Sequence, residues 1–208
     1  MATNQVRRAA RRQERGVRRA EAVLDAAEQV FAELGYDQTT TAAVASRDGI
    51  SPGSLYQFFP NKQAIAQALG VRFAEQLRVL HERALAPDNR PLPLAAFLDR
   101  IIDPIVAFNR DHPALMRLFG GTHVSPDLQG LLANLRSRLL ERFDAGFAAR
   151  LPDFDTDQRR RMVIVSLQVA LALLPLTLGP DSSQGDAFAM ELKAALRAYW
   201  AAPFHDSA

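Results

Sequence analysis

Apolar residues return at steps of three and four along most of this chain, and that spacing narrows its possible folds more than any other feature. Ala20, Val23, Leu24, Ala27, Val30, Phe31 and Leu34 make one stripe, and Gly35 supplies a stop. Glu21, Asp25 and Glu28 fall on the opposite, solvated face. Ile65, Leu69, Phe73, Leu77 and Leu80 make a second stripe, ended by Pro87. Leu94, Phe97, Leu98, Ile101, Ile105 and Phe108 make a third, and Pro104 inside it predicts a kink or break. Further helices fit 125–150, about 157–174 and about 185–201. No run of alternating β-branched residues bounded by turn signals reads as a strand. The expected fold class is all-α.

Three Pro- or Gly-containing connections divide the chain: "APDNRPLP" (86–93), "LPDFDTD" (151–157) and "LGPDSSQGD" (178–186). The last two bracket "MVIVSLQVALALLPLTL" (162–178), apolar on nearly every face. A membrane span is one reading of it. However, the run falls short of roughly 20 apolar residues and carries Ser166, Gln168 and Pro175. A helix apolar all round in a soluble protein must bury both sides, one against its own domain and the other against a partner subunit. That reading is preferred, and no membrane partner is expected.

The chain has no cysteine, which excludes disulfides, a cysteine nucleophile and thiolate metal sites and fits a reducing compartment. No apolar region follows the Arg-rich N-terminus, so a cytoplasmic protein is expected. Net charge is only +2, yet residues 1–20 hold seven arginines (Arg7, Arg8, Arg11, Arg12, Arg15, Arg18, Arg19) against Glu14, while residues 21–62 sum to −4. A basic arm on a neutral body suits a polyanion, either nucleic acid or a membrane surface; a solubilising tail is the bland alternative.

The stretch "DGISPGSLYQFFPNK" (48–62) contains Gly49-Ile50-Ser51-Pro52-Gly53, which matches the nucleophile elbow of serine hydrolases. That motif needs the backbone N–H of the residue after the serine for its oxyanion hole. Here that residue is Pro52, which has none. His81, His112 and His123 sit in no catalytic motif. No enzyme activity, cofactor or metal is expected.

The same residues fit a helical hairpin at every position. Thr40 can cap a short helix over about 41–47, with Val44 and Ala45 packing inward. Gly49 permits a left-handed turn, and Ile50 can anchor it. Ser51 then caps a second short helix with Pro52 at its first position. Gly53 and Ser54 are small enough to approach a groove floor, Leu55 and Phe58 face inward, and Gln57 points out, able to pair with base edges. Tyr56 can reach a phosphate. Asn61 can cap the next long helix, placing Lys62 at its positive end.

The spacing "TTTAAVASRDGISPGSLYQFFPNKQAI", together with "AVLDAAEQVFAELGYDQTT" before it, closely resembles the helix-turn-helix unit of TetR-type transcriptional regulators. The resemblance covers about residues 18–70. Two departures are Asp48, expected on the solvent side, and Phe58, expected in the core. Because the second helix holds no Arg or Lys, base choice is expected to rest on small polar groups, with the N-terminal arginines supplying affinity. Candidate DNA contacts are Arg11, Arg12, Arg15, Thr40, Thr41, Ser51, Pro52, Gly53, Ser54, Tyr56, Gln57 and Lys62.

The resemblance implies a flexible basic arm (1–17), a three-helix DNA-binding domain (18–62), a connecting helix (63–86), a helical effector-binding and dimerisation domain (87–203) and a tail (204–208). It also implies double-stranded DNA as partner and a homodimer through about 157–178 and 185–201. A small hydrophobic effector is expected among Phe73, Leu77, Phe97, Ile101, Phe108, Met116, Phe119, Phe143, Phe147 and Gln168. The segment "LFGGTHVSPD" (118–127) is a candidate lid, helix break or simple turn.

Overall fold

The structure, a computed structural model, describes residues 2–89, 92–120, 125–148, 154–178 and 182–201. Every regular element among them is helical. The elements are α1 (Ala2–Gln38), α2 (Thr41–Arg47), α3 (Pro52–Tyr56), α4 (Lys62–Ala84), α5 (Leu94–Asp111), α6 (Pro113–Phe119), α7 (Pro126–Ala148), α8 (Thr156–Leu173) and α9 (Ser182–Ala201). Short 3-10 turns at Pro87–Asn89 and Leu174–Leu178 join α4 to α5 and extend α8. Residues 121–124, the middle of the candidate lid, lie outside the described residues, as does the tail.

The first helix starts at Ala2, so the Arg-rich stretch expected as a flexible arm is continuous with α1. Its Ala, Arg, Gln and Glu residues are strong helix formers, and none of them breaks the helix before Gly35. At Gly35, φ is +72°, a value that other residues rarely adopt, and the chain turns there. The break expected at Pro104 does not occur, and α5 runs through it from Leu94 to Asp111. The proline removes one backbone hydrogen bond, while Ile101, Ile102 and Val106 on either side are buried and hold the helix to its neighbours.

Two apolar cores form. The first joins Val23, Ala27, Phe31, Val44, Leu55 and Leu69 to Leu115, Leu118 and Phe119, so α6 packs with the N-terminal helices although it lies well beyond the connecting helix in sequence. The second gathers Phe97, Ile101, Phe143, Val163, Leu192 and Leu196 from α5, α7, α8 and α9. Helix α4 spans both, contributing Ile65, Leu69 and Phe73 to the first and Ala84 to the second.

Polar clasps tie α1 to the rest. Arg72 of α4 meets Asp25 and Glu28 at 2.6 Å each, and His112 Nδ1, before α6, lies 2.6 Å from Glu28. The Tyr36 hydroxyl donates to Asp127 at 2.9 Å, and Gln63 Nε2 donates to the Asp127 carbonyl at 3.1 Å. Burial and that carboxylate push the Tyr36 phenol up to about 12, which keeps it a donor.

The segment Thr156–Leu178 is long and apolar enough to cross a membrane by length and composition. In the fold, Val163 and Leu174 belong to the second core and Met162 is also buried, while Ile164, Val165 and Leu176 remain exposed. One side is therefore buried within the chain and the other is uncovered.

Candidate nucleic-acid interface and internal cavity

The hairpin is built by its caps. Thr40 Oγ1 accepts from the Ala43 N–H at 3.1 Å, starting α2, and Ser51 Oγ accepts from the Ser54 N–H at 3.1 Å, starting α3 with Pro52 at its first turn. Gly49 sits between them at φ +70°. Asn61 Oδ1 accepts from Ala64 N–H at 2.8 Å and starts α4. Beneath the turn, Val44, Ala45 and Leu55 are buried and Ile50 packs against them. The Ser51 side chain is occupied as a cap and also contacts Ser54 Oγ at 2.9 Å. No general base is among its hydrogen-bond partners.

The outer face of this hairpin carries the candidate contacts. Ser51, Pro52, Gly53, Tyr56 and Gln57 are exposed, Ser54 is half-buried, and Tyr56 meets Thr41 through their hydroxyls at 3.1 Å. Thr40 and Thr41 stand at the N-terminus of α2 beside Tyr56. Arg11 and Arg15 are exposed one turn apart on α1, with Arg15 Nε donating to the Arg11 carbonyl, while the Arg12 side chain lies outside the described residues.

Lys62 is placed differently from a free phosphate contact. Its ammonium donates to the carbonyls of Tyr36 and Asp37 at 3.0 and 2.9 Å and lies 4.7 Å from the Tyr36 ring centre. It therefore closes the end of α1, with one N–H left to point elsewhere. Asp48 is not on the solvent side. Its side chain is only 9% exposed and meets Arg19 at 3.0 Å, because α1 lies across the turn and supplies the counter-charge. Arg47 is likewise held by Glu33 through two nitrogen–oxygen contacts.

Helices α4 to α9 line a partly open cavity of about 300 Å3. Among the residues expected at a pocket, Phe73, Leu77, Ile101, Met116, Phe119, Phe143 and Phe147 line it. Phe97 does not, being consumed in the core edge-on to Phe147 with ring centres 5.4 Å apart. Phe108 packs on His112 at 4.3 Å, and Gln168 lies on the exposed side of α8.

Sequence reasoning missed the polar lining. His81 is 3% exposed, and burial, aided by the charge of Arg142, lowers its pKa to about 4, so it is neutral. Among the described residues its Nδ1 has no hydrogen-bond partner, nor has Oδ1 of the buried Asn109, whose Nδ2 donates to the Ile105 carbonyl at 2.7 Å. Arg78, Arg136, Arg138 and Arg142 also contribute to the walls. The spacing of Arg138 and Arg142 beside Leu135 and Leu139 was the available signal, since residues four apart share a helix face.

Comparison with known proteins agrees with this geometry. Residues 23–69 match the family described as bacterial regulatory proteins, tetR family, and residues 93–199 match the Tetracyclin repressor-like, C-terminal domain. The HTH-type transcriptional regulator UidR of Escherichia coli is 32% identical over 89 residues, 43% of this chain and 42% of that protein. The fatty acid metabolism regulator protein of Bacillus subtilis is 36% identical over 61 residues, 29% of this chain and 30% of its own. The matched stretches span less than half the length of these curated relatives. Over almost the whole chain, the fold is similar to a TetR-family regulator from Streptomyces coelicolor, with a TM-score of 0.61, 28% identity and coverage of 88% of this chain and 97% of that one. It is also similar to FadR from Bacillus subtilis in complex with stearoyl-CoA, with a TM-score of 0.62, 18% identity and coverage of 85% and 96%. A capped helix-turn-helix matching one half of the family pattern is thus joined to a helical body matching the other, and the chain belongs to the TetR family of bacterial transcriptional regulators.

Proposed function

We propose that this regulator is a ligand-responsive repressor that binds a near-palindromic operator as a homodimer and releases it when a small hydrophobic effector fills the cavity. The observation that carries this reading is the course of α4. Gly70, Phe73, Leu77 and His81 line the cavity, while Ile65 and Leu69, earlier on the same helix, pack beneath the helix-turn-helix. A ligand that shifts α4 therefore shifts the reading helix. To act, the effector must bind the DNA-incompetent state better, and a hundredfold preference corresponds to about 2.7 kcal/mol. A regulator governed only by a partner protein needs no such cavity.

On the operator, Gln57 and Ser54 take the base edges, and Tyr56, Thr41 and the N-terminal arginines take phosphates. The uncovered apolar residues Ile164, Val165, Leu176 and Met190 on α8, its 3-10 extension and α9 suit burial against a second copy. Dimerisation then sets two α3 helices about 34–36 Å apart, one turn of DNA. That the similarly folded FadR was solved with stearoyl-CoA supports an apolar ligand in this body.

The test is a titration of the purified protein against duplex DNA from upstream of its own gene and against a scrambled duplex, across a salt series. Sequence-selective binding with a steep salt slope, reversed by an apolar compound, is the expected outcome. If neither this DNA nor a random-sequence pool yields selective binding, the reading fails.

A further inference from the structure

Building on the reading of the cavity as the effector site, we propose that its ligand is an amphipathic anion, with an apolar chain lying among the phenylalanines and an acidic group held by Arg138 and Arg142.

The argument starts from α7. Leu132, Leu135, Leu139 and Phe143 recur at helical spacing and line the cavity. Arg138 and Arg142, four residues apart, follow one edge of that stripe, and Arg136 follows the other. Of the arginines lining the cavity, Arg78 is paired with Glu75 and Glu82 of its own helix. Arg136, Arg138 and Arg142 form no ion pair among the described residues. Arg142 is half-buried at the cavity wall, and its charge lowers the pKa of both Glu75 and His81, whereas Arg136 and Arg138 are exposed.

Guanidinium groups along the edge of apolar walls, Arg142 half-buried and Arg136 and Arg138 exposed, suit a ligand that is greasy along its length and anionic at one end, because charge-assisted bonds to arginine are stronger than neutral ones. A wholly neutral hydrophobe would make no use of that charge. His81, neutral and with no partner for Nδ1 among the described residues, adds a hydrogen-bonding group to the same wall. A free long-chain carboxylate and a phosphate-bearing acyl thioester share this chemistry.

Trp200, the only tryptophan in the chain, lines the cavity and reports occupancy by its fluorescence. The probes are dodecanoate, dodecanoyl-CoA, methyl dodecanoate and dodecanol, each below its micelle concentration, titrated into the full chain. At least one anionic probe should bind about tenfold or more tightly than the neutral pair. The joint substitution Arg138→Gln and Arg142→Gln should erase that preference while the neutral probes bind as before. Leu139→Phe, which narrows the cavity, should weaken all of them. Preference for dodecanoate alone identifies a carboxylate as the source, and preference for dodecanoyl-CoA alone identifies the thioester. The proposal is overturned if the neutral probes bind as well as the anions, if the double variant keeps the preference, if Leu139→Phe changes nothing, or if no probe binds. Operator release is followed in parallel. Anion-selective binding without release would retain this proposal and sink the regulatory reading instead.

Discussion

Gln57 closes α3 with its side chain exposed, whereas Lys62, five residues later, is already committed to two carbonyls of the first helix. The two should therefore behave differently when truncated. Gln57→Ala is expected to relax base preference at one or two operator positions by about 1–3 kcal/mol, read from binding to single-base operator variants, with stability unchanged. Lys62→Ala should cost about 1–2 kcal/mol of folding stability in a urea titration, because two carbonyls lose their donor, and leave base preference unchanged. Equal stability of the two variants would mean that the Lys62 bonds contribute nothing net. His81 supplies a third residue-scale test. Its pKa is about 4 in the folded state against 6.5 ordinarily, so between these values the unfolded chain binds the extra proton and the folded chain does not. Stability from this group is complete above about pH 6.5 and falls as pH drops toward 4, by about 3 kcal/mol at most. His81→Gln should flatten that part of the stability profile. An unchanged slope would show that His81 is not buried neutral.

At the scale of elements, the connection between reading unit and cavity runs through helix ends as well as through α4. Tyr36, just past Gly35, donates to Asp127 in the first turn of α7, and α7 forms the arginine-bearing wall. Movement of α7 on ligand binding thus has a direct hold on the end of α1, where Lys62 is also anchored. Tyr36→Phe keeps the ring against Phe31 but removes the hydroxyl. It is expected to retain operator binding while raising the ligand concentration needed for release several-fold, about 1 kcal/mol of lost coupling. Release curves that superimpose on the unsubstituted protein would place the coupling elsewhere, in α4 or in the Glu28–His112 contact before α6.

For the whole molecule, the uncovered apolar strip on α8 and α9 is the feature a single chain leaves unfinished. Val165 and Met190 are 40% and 65% exposed. Val165→Glu places a carboxylate where a partner helix would pack, at a desolvation cost of several kcal/mol per buried unpaired charge. Sedimentation should show a monomer, and operator binding should fall steeply because two half-sites are no longer joined. A dimer of unchanged affinity would move the interface off this face.

The local rules were legible in the residues themselves. Thr40, Ser51 and Asn61 cap, Gly35 and Gly49 take positive φ, Pro52 sits at a first turn, and apolar spacing marks the long helices, because each of these depends on neighbours a few positions away. What required the tertiary structure was everything set by distant partners. Asp48 is covered by Arg19, α6 joins the N-terminal core, α5 survives Pro104, and Gln168 turns away from the cavity while His81 and Asn109 turn into its wall. Periodicity says which face of a helix is apolar, but not which apolar face closes on which, nor where their packing leaves a space. Those depend on contacts between residues far apart in the chain, and they decided the shape and charge of the cavity.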